Sequence, residues 1–156
     1  MSIDINGIAH VYITVADFAA CRPFYGALLD FFGMQPLVDT DELYYCIGGR
    51  TAIGIRAAAA EHQETRFDQL RAGLHHLCVR ARSRKDVDAV AEFVVKHGAT
   101  LVHPPEEDVW APGYYSVLFE DPGGTRLEVN YVPGKGHLAD GAPGLDEDVQ
   151  ADLSRP

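Results

Sequence analysis

The 156-residue chain is 47% hydrophobic with a formal net charge of -10, enough apolar residue for one well-cored domain and too short for two independent ones. Such acidity repels phosphate backbones and anionic lipid, which sets aside nucleic acid and membranes as partners and leaves a small molecule as the expected one. Cys21, Cys46 and Cys78 form no C-x-x-C pair and suit free thiols in a reducing compartment; with no signal-like segment and no bilayer-length apolar run, the cytoplasm is the expected location.

Residues 8–15 alternate Val11, Ile13 and Val15 against His10, Tyr12 and Thr14, the period of a strand with one apolar face. Asp17 can cap the helix that follows, although Pro23 allows regular helix only from about that residue; Phe24, Leu28 and Phe31 or Phe32 form its buried stripe and Gly33 ends it. Residues 43–47 and 51–55 read as a hairpin closed by Gly48 and Gly49. An Ala-rich, then charged connector with room for a short helix runs over 57–72. In the next strand, 74–81, His75, Leu77 and Val79 share one face and His76, Cys78 and Arg80 the other. Ser83 caps a helix in which Val87, Val90, Ala91 and Val94 recur at helical spacing until Gly98. Residues 101–105 begin a long polar loop, 114–120 form a strand, Asp121-Pro122-Gly123-Gly124 turns the chain, and 126–131 is the last strand, with Arg126, Glu128 and Asn130 opposite Leu127 and Val129. Beyond Val132 the composition turns to Gly, Pro and Asp, that of an uncored tail or arm.

The two halves read as copies of one another. IAHVYITV, a helical stretch, YYCIGG and TAIGI in the first answer LHHLCVRA, a helix, YYSVLFE and TRLEV in the second. Laying Leu77 and Val79 on Val11 and Ile13 makes His76 the partner of His10, and if the halves pair about a pseudo-twofold axis Glu128 joins them. Two neutral imidazoles and one carboxylate suit a divalent ion of borderline softness and leave positions for substrate oxygens, the style of a catalytic site. The same overlay puts Gly54 on Glu128, so a symmetry-related fourth ligand is missing there: either a bare metal face or a close approach of substrate to backbone is expected. Tyr12, Arg80 and Arg126 are further candidates for substrate contact. The Tyr114-Tyr115 pair sends one hydroxyl to each face, with Tyr115 the candidate acid or donor. His75 falls on the face opposite His10's counterpart and is expected to be a surface histidine.

These segments, with LFEDPGGTRLEV the most specific among them, resemble the vicinal oxygen chelate superfamily, which includes glyoxalase I, methylmalonyl-CoA epimerase, fosfomycin-modifying enzymes, extradiol dioxygenases and bleomycin resistance proteins. The resemblance covers roughly residues 6–132. It implies an α+β fold of two paired βαβββ modules forming a cupped mixed sheet, in a single domain over 1–132 with half-modules at about 6–57 and 73–132, followed by a tail or arm at 133–156. It further implies a divalent metal (Fe, Mn, Zn or Ni) held by His10, His76 and Glu128, a substrate that chelates through oxygens, and a homodimer. Glyoxalase I and the epimerase carry a Glu or Gln where this chain has Gly54, whereas two His and one Glu is the ligand set of the dioxygenases and fosfomycin-modifying enzymes. The reaction is therefore expected to be ring cleavage or lyase/isomerase chemistry, with Glu128 also a candidate catalytic group. The alternative is a metal-free binding protein of the bleomycin-resistance type.

Overall fold

The computed structural model describes residues 3–5, 7–142 and 144–153; Asn6, where the first half-module was expected to begin, lies outside them. In β1 (His10–Val15) the alternation of the sequence is kept: Ile13 and Val15 are buried while His10, Tyr12 and Thr14 stay exposed. Asp17 caps α1 (Phe18–Phe31), its Oδ1 accepting from Ala20 N at 2.9 Å. Pro23 lies inside this helix, so regular helix starts a turn and a half earlier than the proline suggested. An interior proline costs about 3 kcal/mol. The cap and the burial of Cys21, Phe24, Tyr25, Leu28 and Leu29, at roughly 1.5–3 kcal/mol for each large apolar side chain, outweigh it.

β2 (Gln35–Asp39) has no counterpart in the sequence expectations. It is an edge strand with an exposed Leu37, a proline and a bulge between Pro36 and Val38, so it lacks the alternation that marks a strand in sequence. β3 (Leu43–Gly48) and β4 (Thr51–Ala57) form the expected hairpin, but the turn is Gly49-Arg50, both left-handed at φ 57° and 67°. Gly48 stays in the strand, where a Cβ would meet the Met34 backbone at 3.1 Å. The sheet order is β1-β4-β3-β2, with β1 parallel to β4 and the other pairs antiparallel. α1 packs on β4 and β3.

The second module repeats the plan. β5 (Leu77–Arg80), α2 (Arg84–Lys96), β6 (Thr100–Glu107), β7 (Tyr115–Glu120) and β8 (Arg126–Tyr131) give the order β5-β8-β7-β6, again with the first and last strands parallel. Ser83 caps α2 by accepting from Asp86 N, and Val87, Val90, Ala91 and Val94 are buried as the spacing required. β6 occupies what the sequence presented as a loop: its two prolines fit because it is an edge strand whose register shifts twice against β7. The fold is α+β, two βαβββ modules of mixed sheet. After β8 come a 3-10 turn at Gly136–Leu138 and a short helix, α3 (Glu147–Leu153). Among the described residues no helix is long and apolar enough to cross a membrane.

The chain folds as two compact units, one reaching to Leu70 and including Asp121–Thr125, the other comprising Arg71–Glu120 and the chain from Arg126 on. The Asp121–Thr125 turn is fastened within the first unit. Tyr25 donates to Asp121 Oδ2 at 2.8 Å and Thr125 N to Oδ1 at 2.8 Å, with Asp121 buried. Burial, more than any other influence, raises the Asp121 carboxyl, and the bonds from Tyr25 and Thr125 counter it in part. Gly123 fits because a Cβ there would sit 3.2 Å from Cys21 Sγ. Removing the tyrosine hydroxyl leaves the buried Asp121 carboxyl short of one partner and should cost about 1–3 kcal/mol, so Tyr25→Phe is expected to lower the urea midpoint accordingly; an unchanged midpoint would mean the bond contributes nothing.

Candidate functional site

Glu128 stands mid-strand in β8, between Cys78 on β5 and Leu118 on β7 in the register. Only 8% of its surface is exposed. Its two oxygens have different partners: Tyr114, just before β7, donates to Oε1 at 2.5 Å, and His76, just before β5, places Nε2 3.1 Å from Oε2. Burial by itself would raise the Glu128 carboxyl, but hydrogen bonds from His76 and Tyr114, the His76 charge and a smaller influence of Ser116 outweigh it and leave the pKa lowered. Ionised Glu128 therefore stabilises the fold above the ordinary value of 4.5, and that contribution is lost as pH falls through its lower folded value. Wild type should lose more stability on acidification below pH 4.5 than Glu128→Gln does; parallel pH profiles in equilibrium unfolding would refute this.

Tyr114 and Cys78, both beside Glu128, keep their protons. Burial first, then the bond to Glu128, pushes the Tyr114 hydroxyl well above its usual range, so it remains a donor. The Cys78 side chain is exposed on one side, yet its low-dielectric surroundings and then the Glu128 charge push the thiol up to about 12, which makes it a thiol at neutral pH. Ser116 and Asn130, paired across β7 and β8, are buried, and the Ser116 Oγ and Asn130 Oδ1 atoms lack hydrogen-bond partners. Ser116 thus biases the Glu128 charge by proximity rather than by a well-formed bond.

His76 and Glu128 fit a divalent ion as two of its ligands. Donors about 2.1 Å from one metal and at right angles around it stand about 3 Å apart, and the Nε2–Oε2 separation is 3.1 Å. A carboxylate has lone pairs enough to keep the Tyr114 bond while it serves a metal. Among the described residues, no three His, Cys, Asp or Glu side chains gather into such a site.

His10 belongs to the first unit, at the start of β1. Its ring meets Tyr12 edge-on at 5.8 Å, and Tyr12 stacks on Tyr45 with centroids 5.1 Å apart and planes 19° apart. Both tyrosines are paired in register with Gly54, where a Cβ would lie 2.6 Å from Tyr45 and 2.9 Å from Tyr12. The room left by glycine is thus filled by the chain's own rings. The overlay of the halves is preserved in the strand registers: Val11 pairs with Ile53 and Tyr12 with Gly54, as Leu77 pairs with Leu127 and Cys78 with Glu128.

The other sequence candidates are dispersed. Arg80 is exposed on β5 opposite Asn130, and Arg126 is 3.4 Å from Glu120. Tyr115 turns to α2, donating to Asp88 at 2.8 Å under the Arg84 guanidinium. Its partner Tyr114 is the one on Glu128, a choice that strand alternation alone leaves open because the pair straddles the start of β7. His75 is exposed as expected, but its contact with His76 is not legible in the sequence: both histidines precede β5, where pleating does not yet dictate their faces, and their Nδ1 atoms are 2.8 Å apart.

The model of the glyoxalase/bleomycin resistance protein/dioxygenase superfamily matches residues 7–129. An uncharacterised Bacillus subtilis protein, YqjT, is 26% identical over 121 residues, covering 77% of this chain and 94% of that one. Among solved structures, a candidate glyoxalase from Bacillus halodurans superposes with a TM-score of 0.69 at 25% identity, covering 81% of this chain and 96% of the other. A glyoxylase/bleomycin resistance protein/dioxygenase domain from Frankia sp. gives 0.66 at 26% identity, covering 82% and 98%. A lactoylglutathione lyase from Agrobacterium tumefaciens shares the fold with a TM-score of 0.58 at 22% identity, covering 81% and 94%. With the repeated βαβββ order already in the sheets, the chain belongs to the glyoxalase/bleomycin resistance protein/dioxygenase superfamily.

Proposed function

We propose that this chain is a divalent-metal-dependent enzyme acting on a small substrate that presents adjacent oxygens. The observation that carries the reading is the pairing of His76 Nε2 with Glu128 Oε2 at 3.1 Å, with Tyr114 on the other carboxylate oxygen. His10 is the third proposed ligand, taken from its correspondence to His76 in the repeat. Fe, Mn, Zn or Ni bound there would polarise a substrate oxygen and stabilise charge developing on it. Glu128, held ionised by its partners, supplies the negative ligand. Tyr114 orients that carboxylate and keeps its proton, while exposed Arg80, on the same sheet face, is placed to draw an anionic substrate group. Absence of a carboxylate at Gly54 leans the reaction toward ring cleavage with O₂ over isomerisation. The partner is a small molecule, and a second copy of the chain is the expected assembly.

A metal-free binding protein is the second reading, favoured by the Tyr12–Tyr45 stack with Tyr12 48% exposed, an aromatic surface suited to a flat or cationic ligand. Turnover separates the two. Protein loaded in turn with each metal is followed for oxygen uptake with catechols and for isomerisation of thiol adducts of 2-oxoaldehydes. Turnover is expected with one class of metal, falling by about tenfold or more in Tyr114→Phe and unchanged in Tyr115→Phe. Absence of turnover with every metal, alongside tight binding of an aromatic compound by the metal-free protein, would replace the enzyme reading with the second.

A further inference from the structure

The contact between His75 and His76 joins two rings at 78° with Nδ1 atoms 2.8 Å apart. A hydrogen bond between two neutral imidazole nitrogens holds a single proton, so one ring donates and the other accepts. At the far side of the second ring, Nε2 faces Glu128. These two contacts are linked, because a neutral imidazole carries its proton on one nitrogen only.

With the carboxylate as its partner, His76 carries the proton on Nε2, so its Nδ1 accepts and His75 Nδ1 donates. As a metal ligand, His76 needs a bare Nε2, so its proton sits on Nδ1 and His75 Nδ1 accepts, with the His75 proton on its own exposed Nε2. A backbone N–H in place of His75 would forbid the second arrangement, and a backbone carbonyl would forbid the first. An imidazole serves both.

We propose that His75 is the positioning residue of His76, taking either role in their Nδ1–Nδ1 hydrogen bond so that His76 Nε2 is free of its proton when a divalent ion is held. This rests on the metal reading above. His75 is exposed, so its replacement leaves the core untouched.

The test uses zinc as the probe, titrated against a chromophoric chelator into wild type, His76→Ala, His75→Leu and His75→Asn. His75→Leu should bind zinc about 10–100-fold more weakly than wild type, the usual cost of losing such a supporting partner. Asparagine reaches the same place with either a donor or an acceptor, so His75→Asn should recover affinity to within about threefold. In nitrogen-15 NMR of the zinc-loaded wild type, a scalar coupling across the hydrogen bond should link the two Nδ1 atoms, with the proton on His76. Zinc binding in His75→Leu equal to wild type, or no such coupling, would overturn the role of His75 while leaving the metal reading standing. Failure of wild type to bind zinc, or binding indifferent to His76→Ala, would overturn both.

Discussion

Glu128→Ala is expected to weaken divalent-ion binding by more than about 100-fold, beyond the 10–100-fold typical of losing an outer partner. The substitution removes the one proposed anionic ligand and leaves the Tyr114 hydroxyl and His76 Nε2 without the acceptor they now share. Abandoning those bonds, made to a residue only 8% exposed, should also cost about 1–3 kcal/mol of stability. The two effects separate by experiment. Glu128→Gln keeps the shape and an acceptor for Tyr114 but loses the charge, so it should recover most of the stability and little of the affinity. Equal ion affinity in wild type and Glu128→Ala, with both proteins folded, would remove Glu128 from the metal site.

Gly54→Ala is expected to destabilise the first module by about 1–3 kcal/mol, the usual cost of overpacking. The added Cβ would lie 2.6 Å from Tyr45 and 2.9 Å from Tyr12, and planar rings stacked on one another cannot both give way without parting. Near-UV circular dichroism of the tyrosines should report the separation, and the urea midpoint its cost. The loss should shrink in Tyr12→Ala/Gly54→Ala, because the exposed ring is then absent. A midpoint unchanged by Gly54→Ala would show that the rings move aside freely and that glycine is there for another reason. For the same steric reason, Gly54→Glu should disrupt the stack before it can supply a carboxylate.

The elements legible in the sequence are those whose burial is one-sided. β1 alternates because one face packs on the core, and α2 shows its stripe of Val87, Val90, Ala91 and Val94 because the other side meets water. The edge strands β2 and β6 are hidden, since prolines and register shifts are tolerated where only one neighbour must be bonded. Pro23 misplaces the start of α1 because local propensity carries no information about Cys21, Phe24 and Tyr25, whose burial decides the matter. At the site, chemistry and repeat together name His76 and Glu128. They do not choose between Tyr114 and Tyr115, nor bring His75 to His76, because those side chains stand where the chain enters a strand and the two-residue period has not begun. The tyrosines over Gly54 are visible as residues, but their meeting depends on a register across three strands.

The most direct test of the account is the metal content per chain of protein purified without chelators, measured by elemental mass spectrometry beside His76→Ala. Near-stoichiometric divalent metal in wild type that disappears in the variant is the predicted result. Metal-free wild type that stays empty after reconstitution with iron, manganese, zinc and nickel would contradict it.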